Sequence, residues 1–135
     1  LAAIYGLTDL FRIANEWTGD PSRYIRVSHW QVKADGVTCS WDSHPGTAHR
    51  LSHVITPPSI VMPERMAPAP AAARWLRKQH SGGATLCSVC AGAFILAETG
   101  LIDNRRATTH WAFAQQLAQR FPKVRLADEH LVLDE

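Results

Sequence analysis

The chain has 135 residues, 46% of them apolar, and a formal charge of +2. That length suits one domain with a real hydrophobic core. No apolar run approaches the roughly 18–20 residues a membrane helix needs, which excludes a spanning segment. Arg and Lys are scattered rather than gathered into a patch, which excludes a nucleic-acid surface on this segment itself. Three cysteines, an odd number and with nothing resembling a signal peptide ahead of them, suit a reducing cytoplasm better than a disulfide framework.

Ala3, Ile4, Leu7, Leu10, Phe11, Ala14 and Trp17 recur at helical spacing, with Asp9, Arg12 and Glu16 opposite, so the chain opens on an amphipathic helix. Thr18-Gly19-Asp20-Pro21 stops it. Residues 24–32 alternate and are rich in β-formers, which predicts a strand. Ala34-Asp35-Gly36 then signals a turn, and residues 37–41 return as a short hairpin strand. A loop around Pro45-Gly46 leads to residues 51–56, a candidate parallel strand ended by Pro57-Pro58. Five of the eight prolines lie between Pro57 and Pro70; that density forbids a central strand and disfavours a helix interior. An irregular connection is expected there.

Residues 71–80 read as a helix with Ala72, Trp75, Leu76 and Gln79 inward and Arg74, Arg77 and Lys78 outward. Gly82-Gly83 breaks the chain before the run 84–89, which suits a strand buried on both faces. Cys90-Ala91-Gly92 makes a tight turn into a helix over 93–98, and Gly100 suits its left-handed C-terminal position. A short strand over 107–109 follows. The next helix, over 112–121, would bury Phe113, Ala114, Leu117, Ala118 and Phe121 before Pro122. Residues 124–126 and 131–133 are the last strand candidates. Strands alternating with helices predict an α/β domain with a largely parallel sheet. The chain starts on Leu1 and stops at Glu135 just after a strand-like run, so it reads as a segment of a longer protein, truncated at both ends.

Cys90 is the sharpest candidate for chemistry. A thiol at the carboxyl end of a strand faces the edge where open α/β sheets place ligand crevices, and a helix amino end favours a thiolate. The bland alternative is a small residue in a tight turn. His110 follows a short strand and opens the next helix, so it should lie along the same edge. A cysteine with a histidine is the minimum for an activated thiol, although His110 could equally cap its helix. Cys87 and Cys90 have the C-x-x-C spacing, but Cys87 falls inside the apolar strand, where it reads as core. His44, His49 and His53 are too irregularly spaced to suggest zinc. No phosphate loop, serine elbow or carboxylate pair is visible. Most of the tryptophans read as core; Trp111 is expected at a pocket rim.

The residues Cys90-Ala91-Gly92, the run Leu96-Ala97-Glu98-Thr99-Gly100-Leu101-Ile102-Asp103 and the run Arg105-Arg106-Ala107-Thr108-Thr109-His110-Trp111 resemble the ThiJ/PfpI superfamily. They are most similar to the GlxA-like transcriptional regulators of the AraC family. The run from Tyr5-Gly6-Leu7 to Ala14-Asn15 is similar to the family's first helix. The resemblance is strong over 86–121, fair over that helix and thin between them. It implies a flavodoxin-like three-layer sandwich whose strand before the first helix is missing here. It also implies a cytoplasmic ligand-sensing domain, a homodimer, no cofactor and no metal, with DNA bound only by a helix-turn-helix domain beyond residue 135. The small-molecule effector would contact Cys90, Ala91, Gly92, His110, Trp111, Pro58 and Ser59.

Two departures from the superfamily's enzymes argue against catalysis, leaving Cys90 and His110 as vestigial candidates. The acidic residue that hydrogen-bonds the cysteine falls at Ala3. The Pro-Gly-Gly after the strand at 51–56 is Pro57-Pro58-Ser59 here, and proline removes an N–H that could serve an oxyanion. A cysteine-dependent hydrolase or glyoxalase-like enzyme is the alternative reading, and a sensor working through oxidation of Cys90 is the third.

Overall fold

The computed structural model describes residues 1–48 and 50–135; His49, one of the three histidines weighed for zinc, lies outside the described residues. The chain divides into two compact units, Leu1–Arg50 and Leu51–Glu135.

The first unit holds helix α1 (Ala2–Thr18) and strands β1 (Ser28–Lys33) and β2 (Gly36–Asp42), paired as an antiparallel hairpin. Gly19 ends α1 in the left-handed conformation, φ 63°, as the Gly-Asp-Pro stop suggests. Strand β1 begins four residues later than the alternation predicts. The cause is Asn15, whose side-chain amide accepts from Ile25 N–H at 2.7 Å and donates to Ile25 C=O at 2.8 Å. It thus occupies both backbone groups that a strand neighbour would use. Arg26 is taken by Asp42 through paired bonds of 2.9 and 2.7 Å, and its Nη2 also donates to the carbonyls of His44 and Thr47. That carboxylate raises the Arg26 pKa further above its usual value. The stripe expected to be inward on α1 is only half-covered. Ala3, Ile4, Leu7 and Phe11 are partly buried, whereas Leu10 is 63% and Trp17 87% exposed. Burial therefore corrects the outer part of that stripe.

The second unit holds β3 (His53–Thr56), α2 (Pro70–Ser81), β4 (Thr85–Ser88), α3 (Gly92–Ala97), β5 (Arg106–Ala107), α4 (Ala114–Arg120) and β6 (Arg125–Leu126). Strands β3 and β4 pair in parallel, as do β5 and β6. The fold is α/β, and both pairs in this unit have the expected direction. The strands form two-stranded ladders rather than one continuous sheet. Residues 57–69 are irregular apart from a short turn of 3-10 helix at Pro63–Arg65, as the prolines require. The core is Ala93, Phe94, Ala97, Leu117 and Val124, with Met66, Ile102, Phe113, Phe121 and Leu126 against it.

Two expectations are corrected here. The strand predicted over 107–109 is displaced to Arg106–Ala107, because Thr108 and Thr109 turn their hydroxyls to the carbonyls of His130 and Cys90. Residues 131–133 form no strand. Leu131 is 99% and Val132 82% exposed, and the tail is held instead by an ion pair between Glu135 and Arg106. A β-prone run becomes a strand only when a neighbour supplies the ladder.

Candidate functional site

Strand β4 ends at Ser88 and α3 begins at Gly92, so Cys90 stands in the strand-to-helix turn. It holds a left-handed backbone, φ 54°, an uncommon state for a residue with a Cβ and one that costs roughly 1–2 kcal/mol. Such strain is often found where a side chain is held out for function. Three contacts with the end of β3 over-determine the turn. Val89 N–H donates to Thr56 C=O at 3.0 Å, which continues the β3–β4 pairing one residue into the turn. The buried Thr56 hydroxyl lies 3.1 Å from both the Cys87 and Gly92 carbonyls and shares its proton between them. A Cβ on Gly92 would stand 2.2 Å from Thr56 O and 2.9 Å from Pro57 O. Only glycine lets the start of α3 lie this close to the end of β3.

The fourth constraint comes from the segment after β5. The Thr109 hydroxyl donates to Cys90 C=O at 2.8 Å, so the residue before His110 is tied to the Cys90 turn. Cys90 and the His110 segment thus share one edge, together with the Pro57-Pro58-Ser59 exit from β3. The His110 imidazole is otherwise engaged: Nδ1 accepts from Ala112 N–H at 3.2 Å and caps the 3-10 turn Trp111–Phe113. Its ring also lies against those of Trp111 and Phe113, with centroids 5.3 and 5.2 Å away. Among the described residues no hydrogen bond joins either ring nitrogen to Cys90.

The remaining predicted residues are distributed unevenly. Ala91 and Gly92 are buried, whereas Val89, 41% exposed, and the partly buried Cys90 present side chains from the turn. Trp111 is 78% exposed. Pro58 and Ser59 are partly buried, and the Ser59 hydroxyl accepts from Val61 N–H at 2.9 Å. Ala3 lies in α1 of the other unit. Cys87 is partly buried inside β4, and burial, followed by the nearby Asp134 carboxylate, raises its thiol pKa. That favours a protonated core thiol over a redox partner. Cys39, Cys87 and Cys90 are all free. Among the described residues no group of three or more His, Cys, Asp or Glu is placed to hold a metal, and no helix is long and apolar enough to cross a membrane.

A cleft of about 450 Å³ lies elsewhere in the unit, between α2, the end of α3 and α4, and none of the seven predicted contact residues lines it. From the sequence Arg74 and Arg77 are expected only on the outer face of α2, and nothing in the sequence singles out Arg120. The part played by Thr56 and Thr109 was likewise missed, since a threonine bonded across sequence separations of 36 and 19 residues leaves no periodic signal.

Relatives share parts of the chain. The HTH-type transcriptional regulator CdhR of Pseudomonas aeruginosa is 38% identical over 68 residues, 50% of this chain and 20% of that protein. The HTH-type transcriptional regulator GlxA of Rhizobium meliloti is 39% identical over 59 residues, 44% of this chain and 18% of that protein. An isonitrile hydratase of Pseudomonas putida is 41% identical over 39 residues, 29% of this chain and 17% of that enzyme. The matches thus span about a fifth of the length of these relatives. The crystal structure of a putative transcriptional regulator from Vibrio parahaemolyticus superposes with a TM-score of 0.71 at 21% identity, covering 98% of this chain and 72% of that one. At that identity the likeness speaks for the fold alone. The DJ-1/PfpI family pattern matches residues 34–135, a span that includes the Cys90 turn and the His110 segment, and the chain belongs to the DJ-1/PfpI family.

Proposed function

We propose that this chain is the ligand-sensing and dimerisation region of an AraC-type, GlxA-like transcriptional regulator. It would bind a small polar metabolite at the edge shared by Cys90, His110 and Pro58-Ser59 without turning it over. DNA would be contacted by a helix-turn-helix domain beyond residue 135, and the protein would work in the cytoplasm. The names of the relatives support the regulator reading. Family membership and the TM-score of 0.71 support a flavodoxin-like three-layer sandwich as the complete form of the fold.

The observation that carries the non-catalytic reading is the use made of His110. A thiol nucleophile needs a base within hydrogen-bond reach, and here Nδ1 accepts a backbone N–H in its own helix cap instead. Pro58 adds to this by offering no N–H for an oxyanion, a loss that alone can cost about a hundredfold to a thousandfold in rate. A second reading, a cysteine-dependent enzyme, is favoured by one observation, the strained φ of 54° at Cys90. The isonitrile hydratase relative names one reaction to try.

The test is a thermal-shift screen of small polar metabolites run beside turnover assays that include an isonitrile. The proposal expects stabilisation by at least one metabolite, weakened by Cys90→Ser, with negligible turnover. Robust turnover abolished by Cys90→Ser would overturn it in favour of the enzyme.

A further inference from the structure

Arg74 and Arg77 are three residues apart on α2 and so share one helix face. With Arg120 of α4 and Glu98 just after α3 they line the cleft of about 450 Å³. That volume lies within the roughly 300–1,000 Å³ of small-molecule sites. Pro68, Pro70 and Phe121 give the same cleft an apolar wall. Three arginines and a single glutamate therefore line one cleft.

That carboxylate is already committed. Glu98 Oε1 accepts from Arg120 Nη2 at 3.0 Å and Oε2 accepts from Ala69 N–H at 2.6 Å. Arg120 Nη1 also donates to Met66 C=O at 3.0 Å, and Arg77 Nη1 to Thr99 C=O at 3.1 Å. Carbonyl partners orient a guanidinium without cancelling its charge, and they leave Arg77 with donors to spare. Arg74 has no hydrogen-bond or ion-pair partner among the described residues. The cleft is left with two uncompensated positive charges, one of them held in place.

We propose that this cleft is a second binding site, for a small organic anion that carries a carboxylate on an apolar body. A carboxylate matches the arginine fork in two parallel bonds, and the apolar body would cover Phe121 and the prolines. An inorganic anion would answer the charge but leave that wall to water. A neutral apolar molecule would displace water from the guanidinium groups and return no acceptor. The site shares no residue with the Cys90 edge, so its failure would leave the proposed function standing.

Benzoate is a suitable probe, with inorganic phosphate as the second arm, titrated into the 135-residue chain and followed by NMR at the arginine Nε–H and backbone amide signals. Benzoate should produce saturable shifts at Arg74, Arg77 and Phe121 that weaken with added salt. Arg74→Gln and Arg77→Gln should each raise the dissociation constant by about tenfold or more, as expected for loss of a charge-assisted bond. Arg77→Lys, which keeps the charge but not the fork, should fall between. Arg74→Gln breaks no bond within the fold, so its melting temperature should not change, and it decides the matter if Arg77→Gln proves destabilising. Absence of saturable shifts, shifts confined to the Cys90 edge, or affinity indifferent to Arg74→Gln would each overturn the proposal. Phosphate binding as tightly as benzoate would overturn the assignment of an apolar body.

Discussion

Gly92 has no room for a single added carbon, because the backbone of Thr56 and Pro57 stands where its Cβ would be. The Thr56 carbonyl accepts from Val89 N–H at the end of the β3–β4 ladder, so it cannot move without disturbing that pairing. Gly92→Ala should therefore cost about 3 kcal/mol, the upper range for overpacking, measured as a lower urea midpoint at unchanged m-value. A loss of only a few tenths would mean that the start of α3 shifts freely. Cys87 illustrates a different constraint, on charge. Burial raises its thiol above the ordinary value of 9.0, so the folded state holds a proton that the unfolded chain releases. Its contribution to stability is fully present below that value and is lost as pH rises through the raised one. Stability measured from neutral pH to beyond 9.0 should fall at the alkaline end, and Cys87→Ala should flatten that fall. Cys87 was legible as a core residue from its place in an apolar run. The close approach at Gly92 was not, because it is made with a residue 36 positions away.

Among the elements, α3 and α4 carry the core of the second unit. Phe94 and Leu117 are its largest fully buried side chains. Leu117→Ala should cost about 2–5 kcal/mol, visible as a drop in melting temperature; a loss under about 1 kcal/mol would show that the site collapses around the gap. The α4 helix was visible as a 3.6-residue repeat, which needs no partner, and α3 as an apolar run of helix formers closed by Gly100. Sequence pattern failed at residues 131–133, where a β-prone run forms no strand, since strand character depends on a neighbour. It also misjudged where β1 begins, since the competing partner is one side chain, Asn15, on another element. The first turn predicted for the helix at 112–121 is 3-10 in the structure, tightened by the His110 cap.

At the scale of the molecule, the two units differ in how much they bury. Among the described residues none before Leu51 is fully buried, whereas the second unit contains every fully buried residue. Regions with few buried apolar contacts open at low free energy. Amide hydrogen exchange should therefore be distinctly faster through α1, β1 and β2 than through β3, β4 and α3. Equal protection in the two regions would show that the first unit gains stability from contacts beyond its own hairpin and helix.

Local pattern by itself determined the α/β class, the strand–turn–helix around Cys90, the proline-rich connection and the resemblance that the family match then bore out. Each of these is written in neighbouring residues, where backbone conformation and periodicity act. Only the tertiary structure decided that Thr109 binds the Cys90 carbonyl, that the His110 ring is turned to its own helix cap, and that Arg74, Arg77 and Arg120 line one cleft. Those outcomes depend on side chains brought together from elements far apart in the chain. Which hydrogen bond a histidine makes, or which cavity an arginine lines, is set by whatever the folded chain places beside it.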